Sequence, residues 1–216
     1  MLQLALMLIA ALSIVMTTPL STAKATSTAE ENREETPDSG IGAPAPDFSG
    51  VDVDGRTRKL SDFRGKTVVL EWTNHECPFV RKLYDTDTMQ NLQKEATSKG
   101  IVWLTISSSA EGKQGFTRPE EAKSVMAREN SHETARILDS DGMIGKLYGA
   151  TNTPQMFVIN GEGTLVYAGA IDDKPSVSHS TVRDANNYVK AALDDLSAGR
   201  AVKISTSKPY GCGIKY

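Results

Sequence analysis

The chain has 216 residues, 39% hydrophobic and 24% charged, a balance that supports one buried core and excludes collagen-like, coiled-coil or wholly disordered organisation. Lys plus Arg number 24 against 27 Asp plus Glu, a formal net charge of −3, so no cationic surplus exists to hold a phosphate backbone and nucleic acid is excluded as a partner. The two cysteines, Cys77 and Cys212, and the histidines His75, His132 and His179 are too few for a four-ligand zinc ribbon or an iron–sulfur pattern. No cofactor is expected, and the chemistry must rest on very few reactive side chains.

At the N-terminus an apolar run from Leu4 to Met16 leads to the small residues around Ala23-Lys24-Ala25. Residues 1–25 read as a secretory signal with an A-x-A cleavage site. The expected compartment is periplasmic or otherwise extracytoplasmic, with no stable membrane insertion after cleavage. An uncleaved membrane anchor is the alternative, because the run approaches the ~18 residues that a span needs. Residues 26–42 carry five carboxylates and almost no apolar side chain, which predicts a flexible linker. Residues 43–198 hold regular apolar periodicity without a second linker and predict one domain, followed by a tail, 199–216, that carries Cys212.

Within the domain, Asp54-Gly55 between two short β-prone runs predicts a hairpin. Thr67 to Thr73 has the composition of a strand. After Cys77 the pattern turns helical, opened by Pro78 where a missing N–H costs nothing, with Phe79, Leu83, Met89 and Leu92 inward and a break near Asp85 and Asp87. Ile101 to Ser107 predicts a second buried strand. Thr117-Arg118-Pro119-Glu120 has the form of a capping box for a helix reaching about Asn130. Gln155 to Asn160 and Thr164 to Ile171 predict a hairpin around Gly161-Glu162-Gly163. A last helix is expected from about Val182 to Leu196, with Val182, Ala185, Val189, Ala192, Leu193 and Leu196 on one face and Gly199 as its stop. The order β, βαβα, ββα predicts an α/β fold: a central mixed β-sheet with helices on both faces.

Cys77 follows a strand and precedes Pro78, so it belongs at the first turn of a helix, where free N–H groups and the positive end of the dipole stabilise a thiolate. Its polar neighbours Asn74, His75 and Glu76 favour a reactive thiol over an inert buried one. The segment Val68-Val69-Leu70-Glu71-Trp72-Thr73-Asn74-His75-Glu76-Cys77-Pro78-Phe79-Val80-Arg81-Lys82 resembles the strand, active-site turn and helix of the thioredoxin superfamily, with Cys77 at the nucleophile position. It is most similar to redoxin domains of the alkyl hydroperoxide reductase/thiol-specific antioxidant (AhpC/TSA) type. Thr153-Pro154, just before the strand Met156-Phe157-Val158-Ile159, is similar to the superfamily's cis-proline segment. Tyr167 to Asp173 and the ending Lys208 to Tyr216 resemble an exported subgroup of these redoxins. The resemblance implies a thioredoxin-like fold, no cofactor, an external thiol reductant such as a thioredoxin-like protein, and a hydroperoxide or disulfide substrate. It also makes Thr153, Pro154 and Pro78 the candidate substrate-binding residues.

The chain departs from its patterns in three places. Val80 stands where C-x-x-C proteins carry a second thiol. Leu70 and Asn74 stand at the Pro and Thr/Ser positions of the peroxiredoxin motif, with Thr73 one residue out of register. The peroxide-assisting arginine has Arg81 as its nearest counterpart. Glu71, six residues before the nucleophile, resembles the thioredoxin proton-relay acid, and a buried carboxylate there is expected to have a raised pKa; an edge position for the strand, or pairing of Glu71 with a lysine, is the alternative. His75 either lowers the Cys77 pKa or is simply solvated.

Cys212 is flanked by Gly211 and Gly213, which gives its thiol reach and access, while Tyr210, Ile214 and Tyr216 offer apolar groups to dock the tail. It is the candidate resolving cysteine, within one chain or between two, with a permanent Cys77–Cys212 disulfide and two unconnected thiols as alternatives. The leading functional reading is an exported thiol oxidoreductase using Cys77, Cys212, Glu71, Thr73, Asn74 and Arg81. A copper-carrying module built on Cys77 and His75, and a catalytically silent interaction domain, are the competing classes. The polar loop Ser107 to Phe116 is long enough to overhang the site, with a solvated connection as the simpler reading.

Overall fold

The computed structural model describes residues 40–216; the signal segment and residues 26–39 of the expected linker lie outside the described residues. Gly42 N–H already donates to Leu165 O (2.9 Å) and Ala43 N–H to Gly40 O (3.0 Å), so residues 40–42 belong to the folded unit rather than to the linker. Strands β1 (Ser49–Val51) and β2 (Thr57–Lys59) form the expected hairpin. Asp52 Oδ1 accepts the N–H groups of Asp54 and Arg56, both at 2.9 Å, and so fixes the turn.

A five-stranded sheet carries the site. It contains β3 (Val68–Trp72), β4 (Val102–Ser107), β5 (Ala135–Leu138), β7 (Gln155–Ile159) and β8 (Leu165–Gly169) in the order β5-β4-β3-β7-β8. Strands β3, β4 and β5 run parallel, β7 runs antiparallel to β3, and β8 runs antiparallel to β7. Strand β6 (Asn152–Thr153) lies just ahead of β7.

The period of two sorts β3 between two cores. Leu70 and Trp72 face Leu104, Ile106 and Phe157, covered by Phe48, Ile144 and Tyr148. Val69 faces Trp103, Met156 and Val158. That second face is covered by α1 (Pro78–Asp85), α2 (Thr88–Ser98) and α5 (Tyr188–Ser197) through Val80, Leu83, Met89, Leu92, Val189 and Leu193. Ile144 belongs to α4 (Met143–Leu147), so helices pack on both faces of a mixed sheet as expected. Each fully buried aliphatic or aromatic side chain contributes roughly 1.5–3 kcal/mol, which makes these two layers the source of stability for the strand ends.

Three elements differ from the sequence-based expectation. The last helix starts at Tyr188 rather than near Val182: Asn187 caps it by accepting Lys190 N–H at 2.8 Å, and residues 179–182 form only a 3₁₀ turn, with Val182 and Ala185 half-buried. Helix α3 (Pro119–Glu129) has its capping box one residue later than expected, with Arg118 N–H donating to Glu121 Oε2 (2.9 Å). Strand β5 and helix α4 are not apparent in the sequence pattern. β5 carries a buried arginine, Arg136, whose charge hides the strand but is paired with Glu129 (3.1 Å) and Glu133 (2.8 Å).

Candidate active site

Strand β3 ends at Trp72 and the chain crosses a short turn into α1. Cys77 is the N-cap, extended at φ −72° and ψ 123°, and Pro78 is the first helical residue. The turn is held by Cys77 N–H donating to Asn74 O (2.9 Å) and Glu76 N–H donating to Asn74 Oδ1 (2.9 Å). The loop after β4, expected to be a solvated connection, instead buttresses this turn. Gly115 N–H donates to Glu76 Oε2 (2.6 Å) and Asn74 Nδ2 to Gln114 O (3.4 Å). Gly115 has φ +85°, and a β-carbon there would overlap the Asn74 side chain.

The Thr153–Pro154 peptide is cis, and Thr153 O lies 3.1 Å from Cys77 Sγ. Strand β9 (Cys212–Gly213) pairs antiparallel with β6, with Thr153 opposite Cys212. That register brings Cys212 Sγ to 2.6 Å from Cys77 Sγ, although 135 positions separate the two in sequence. Cys77 is completely buried, whereas Cys212 is partly exposed. The unconnected-thiols alternative does not fit this geometry.

The tail is fastened along its length. Ser207 Oγ accepts Ala170 N–H (2.9 Å), Tyr210 OH donates to Asp172 Oδ1 (2.5 Å), and Asn152 Nδ2 donates to Gly211 O (3.1 Å). Beyond Cys212, Ile214 N–H donates to Thr151 O (3.0 Å), Ala110 N–H to Lys215 O (2.8 Å) and Tyr216 OH to Ala150 O (2.7 Å). The hydrogen-bonded contacts of Tyr210 and Tyr216 were not apparent in the sequence, where both tyrosines count only as apolar groups.

The two thiols are electrostatically unequal. Burial pushes Cys77 up, but hydrogen bonds from Cys212 and from Val80 N–H outweigh it and hold Cys77 below the ordinary thiol value. Burial and the neighbouring Cys77 sulfur push Cys212 up to about 12. Cys77 is therefore the more acidic of the two thiols.

The other expected site residues are scattered. Glu71 is fully buried, but its oxygens accept from Tyr84 OH (2.9 Å), Gln93 Nε2 (3.0 Å) and Trp103 Nε1 (2.8 Å), and no hydrogen bond joins it to Cys77. Burial, reinforced by Glu133, raises its pKa to about 7. The lysine-pairing alternative is not realised. Thr73 is buried, and its N–H is spent on Ile106 O (3.0 Å). Asn74 shapes the turn. Arg81 is exposed; it bonds back to Cys77 through the helix backbone (2.9 Å), and its guanidinium lines a groove of about 730 Å³ shared with His75 and Arg128. Burial lowers the His75 pKa. Among the described residues, no three His, Cys, Asp or Glu side chains gather as a metal site, and no helix is long and apolar enough to cross a membrane.

The chain is similar to several known proteins. The thiol-disulfide oxidoreductase ResA of Geobacillus thermodenitrificans is 26% identical over 132 residues, covering 58% of this chain and 66% of the relative. ResA of Bacillus subtilis is 26% identical over 151 residues, covering 69% and 75%. The matched segments thus span roughly two thirds to three quarters of those relatives. Among solved structures, an uncharacterized conserved protein from Geobacillus kaustophilus superposes with a TM-score of 0.68 at 27% identity, covering 82% of this chain and 92% of its own. A hypothetical protein from Sinorhizobium meliloti 1021 gives 0.70 at 22% identity, covering 82% and 94%, a likeness of fold. Residues 41–168 match the AhpC/TSA family, and with its thioredoxin-like sheet and helix-capping cysteine the chain belongs to that family.

Proposed function

We propose that this redoxin is a thiol–disulfide oxidoreductase whose working couple is Cys77 and Cys212, with Cys77 the nucleophile and Cys212 the resolving thiol of the same chain. The 2.6 Å sulfur–sulfur approach, set by the pairing of β9 with β6, carries this reading. When the tail lifts, the Cys77 thiolate attacks a substrate disulfide and forms a mixed disulfide, releasing one substrate thiolate. Cys212, giving up its proton, then attacks Cys77 Sγ, closes the Cys77–Cys212 disulfide and releases the second. The substrate gains two electrons and the pair loses two, which an external dithiol reductant restores.

Three observations favour disulfide over peroxide as the substrate. The Arg81 guanidinium makes no hydrogen bond to Cys77, Leu70 and Asn74 replace the peroxiredoxin motif residues, and Cys77 lies beneath a polypeptide strand. The ResA relatives carry a thiol-disulfide oxidoreductase name. An exported location, resting on residues 1–25, is part of the same proposal.

The test is to treat the reduced full chain with one equivalent of a model disulfide and map the product by mass spectrometry. The expected outcome is a loss of two hydrogen masses and a single Cys77–Cys212 cross-link, with Cys212→Ser instead accumulating a Cys77 adduct. A Cys77 adduct that turns over as fast in Cys212→Ser as in the wild type would overturn the assignment of Cys212.

A further inference from the structure

The register that places Cys212 on Cys77 places Tyr210 two residues earlier on the same helix. The Tyr210 ring lies 5.8 Å from that of Phe79 and 5.7 Å from Lys82 Nζ, and its hydroxyl donates to Asp172 Oδ1 at 2.5 Å. Both charged partners are buried: Lys82 is 0% exposed and Asp172 2%. Lys82 Nζ donates to Lys174 O (3.2 Å), and Asp172 Oδ1 also accepts Lys174 N–H (2.8 Å). The pocket thus holds a ring wall, an ammonium facing the ring and a carboxylate at its far end.

No substrate chain can reach the buried Cys77 while the tail is docked, so turnover requires β9 to leave Thr153. Departure empties this pocket and takes from Asp172 its phenolic donor and from Lys82 its aromatic face. A phenol restores both, a phenyl ring restores only the second, and an aliphatic side chain restores neither.

We propose that Phe79, Lys82 and Asp172 form a substrate subsite for a phenolic side chain two residues before the reacting cysteine of an extended polypeptide, a subsite that Tyr210 fills in the closed state. The strand that adds to Thr153 supplies main-chain hydrogen bonds common to any sequence, and this pocket supplies the discrimination. The inference rests on the reading of Cys77 as the nucleophile.

The test uses the full chain carrying Tyr210→Ala and Cys212→Ser, which empties the pocket and removes the competing thiol. Three peptides, Lys-Pro-X-Gly-Cys-Gly-Ile with X as Tyr, Phe or Ala, are each disulfide-linked through their cysteine to 2-nitro-5-thiobenzoate. Attack by the Cys77 thiolate forms the protein–peptide disulfide and expels the coloured thiolate, whose release gives the rate. The tyrosine peptide is expected to react about tenfold faster than the alanine peptide, with phenylalanine between them. In Cys212→Ser with Tyr210 intact, all three rates are expected to fall, because the tail must first be displaced, while their order is kept. Equal rates for the three peptides in the emptied protein would overturn the subsite and leave Cys77 as the nucleophile. Rates no higher than that of glutathione for all three would overturn the reading of Cys77 itself, and the subsite with it.

Discussion

Thr153 and Cys212 face each other across β6 and β9, so the backbone beside the cis proline is bonded to the chain's own tail and Cys77 is closed off from solvent. One device thereby does two things. It holds Cys212 Sγ at a high effective concentration next to Cys77 Sγ, and it makes access to Cys77 depend on a local opening.

Gly211 is the weak point of that device. Its φ of +122° lies in a region closed to other residues, and a β-carbon would overlap Thr153 O. Gly211→Ala is therefore expected to loosen the tail by about 1–3 kcal/mol without touching either core. Alkylation of Cys77 by iodoacetamide in the reduced protein should rise about tenfold or more, and closure of the Cys77–Cys212 disulfide should slow. Unchanged alkylation would show that the tail does not gate Cys77.

The unequal thiols give a second expectation. Burial pushes Cys77 up, and the hydrogen bond from Cys212 is the largest effect acting against it. Cys212→Ala removes that donor, so the Cys77 pKa should rise; Cys212→Ser keeps a donor and should raise it less. Conversely, Cys77→Ser should let Cys212 fall from about 12 toward the ordinary thiol range. Ultraviolet thiolate absorbance against pH reads both. A Cys77 pKa that stays put in Cys212→Ala would assign the depression to the helix N-terminus alone.

Much of the surroundings of Cys77 is legible in the sequence because it is local: the β3 run, Pro78 at the first helical position and the Thr153-Pro154 pair each declare themselves within a few residues. The placement of Cys212 is not local. Gly211 and Gly213 signal reach, but the pairing with Thr153 spans 59 positions and depends on Tyr210, Asn152 and Ala110 finding partners on separate elements. The role of Glu71 was obscured for a related reason. Its raised pKa follows from a buried strand, but its partners Tyr84, Gln93 and Trp103 come from α1, α2 and β4, and they leave it no hydrogen bond to Cys77.

Arg136 balances the charges next to that carboxyl. It is 3% exposed and bonds Glu129 and Glu133, and the Glu133 side chain is itself fully buried. Arg136→Met would leave buried carboxylates unpaired and is expected to destabilise the protein by about 3–5 kcal/mol in urea unfolding at neutral pH. Lowering the pH should return part of that loss, because the orphaned carboxyls can then take up protons. A cost below about 1 kcal/mol would mean that water reaches these groups.

Glu71 supplies the clearest pH dependence. Its pKa in the folded protein, about 7, lies above its ordinary value of 4.5, so the folded state favours the protonated acid. The stability linked to this group is fully present below pH 4.5 and is lost as the pH rises through 7, a total of about 3 kcal/mol. Glu71→Gln is neutral at every pH, and its oxygen can still accept from Gln93 and Trp103 while its amide donates to Tyr84 OH. The variant should match or slightly trail the wild type near pH 4.5 and exceed it above pH 8. Its unfolding free energy should vary less with pH across that window. Since Glu71 makes no hydrogen bond to Cys77, the rate of Cys77–Cys212 closure should change little. Parallel pH–stability curves for the two proteins would place the titration on another group, and a large fall in the closure rate would return Glu71 to the proton path.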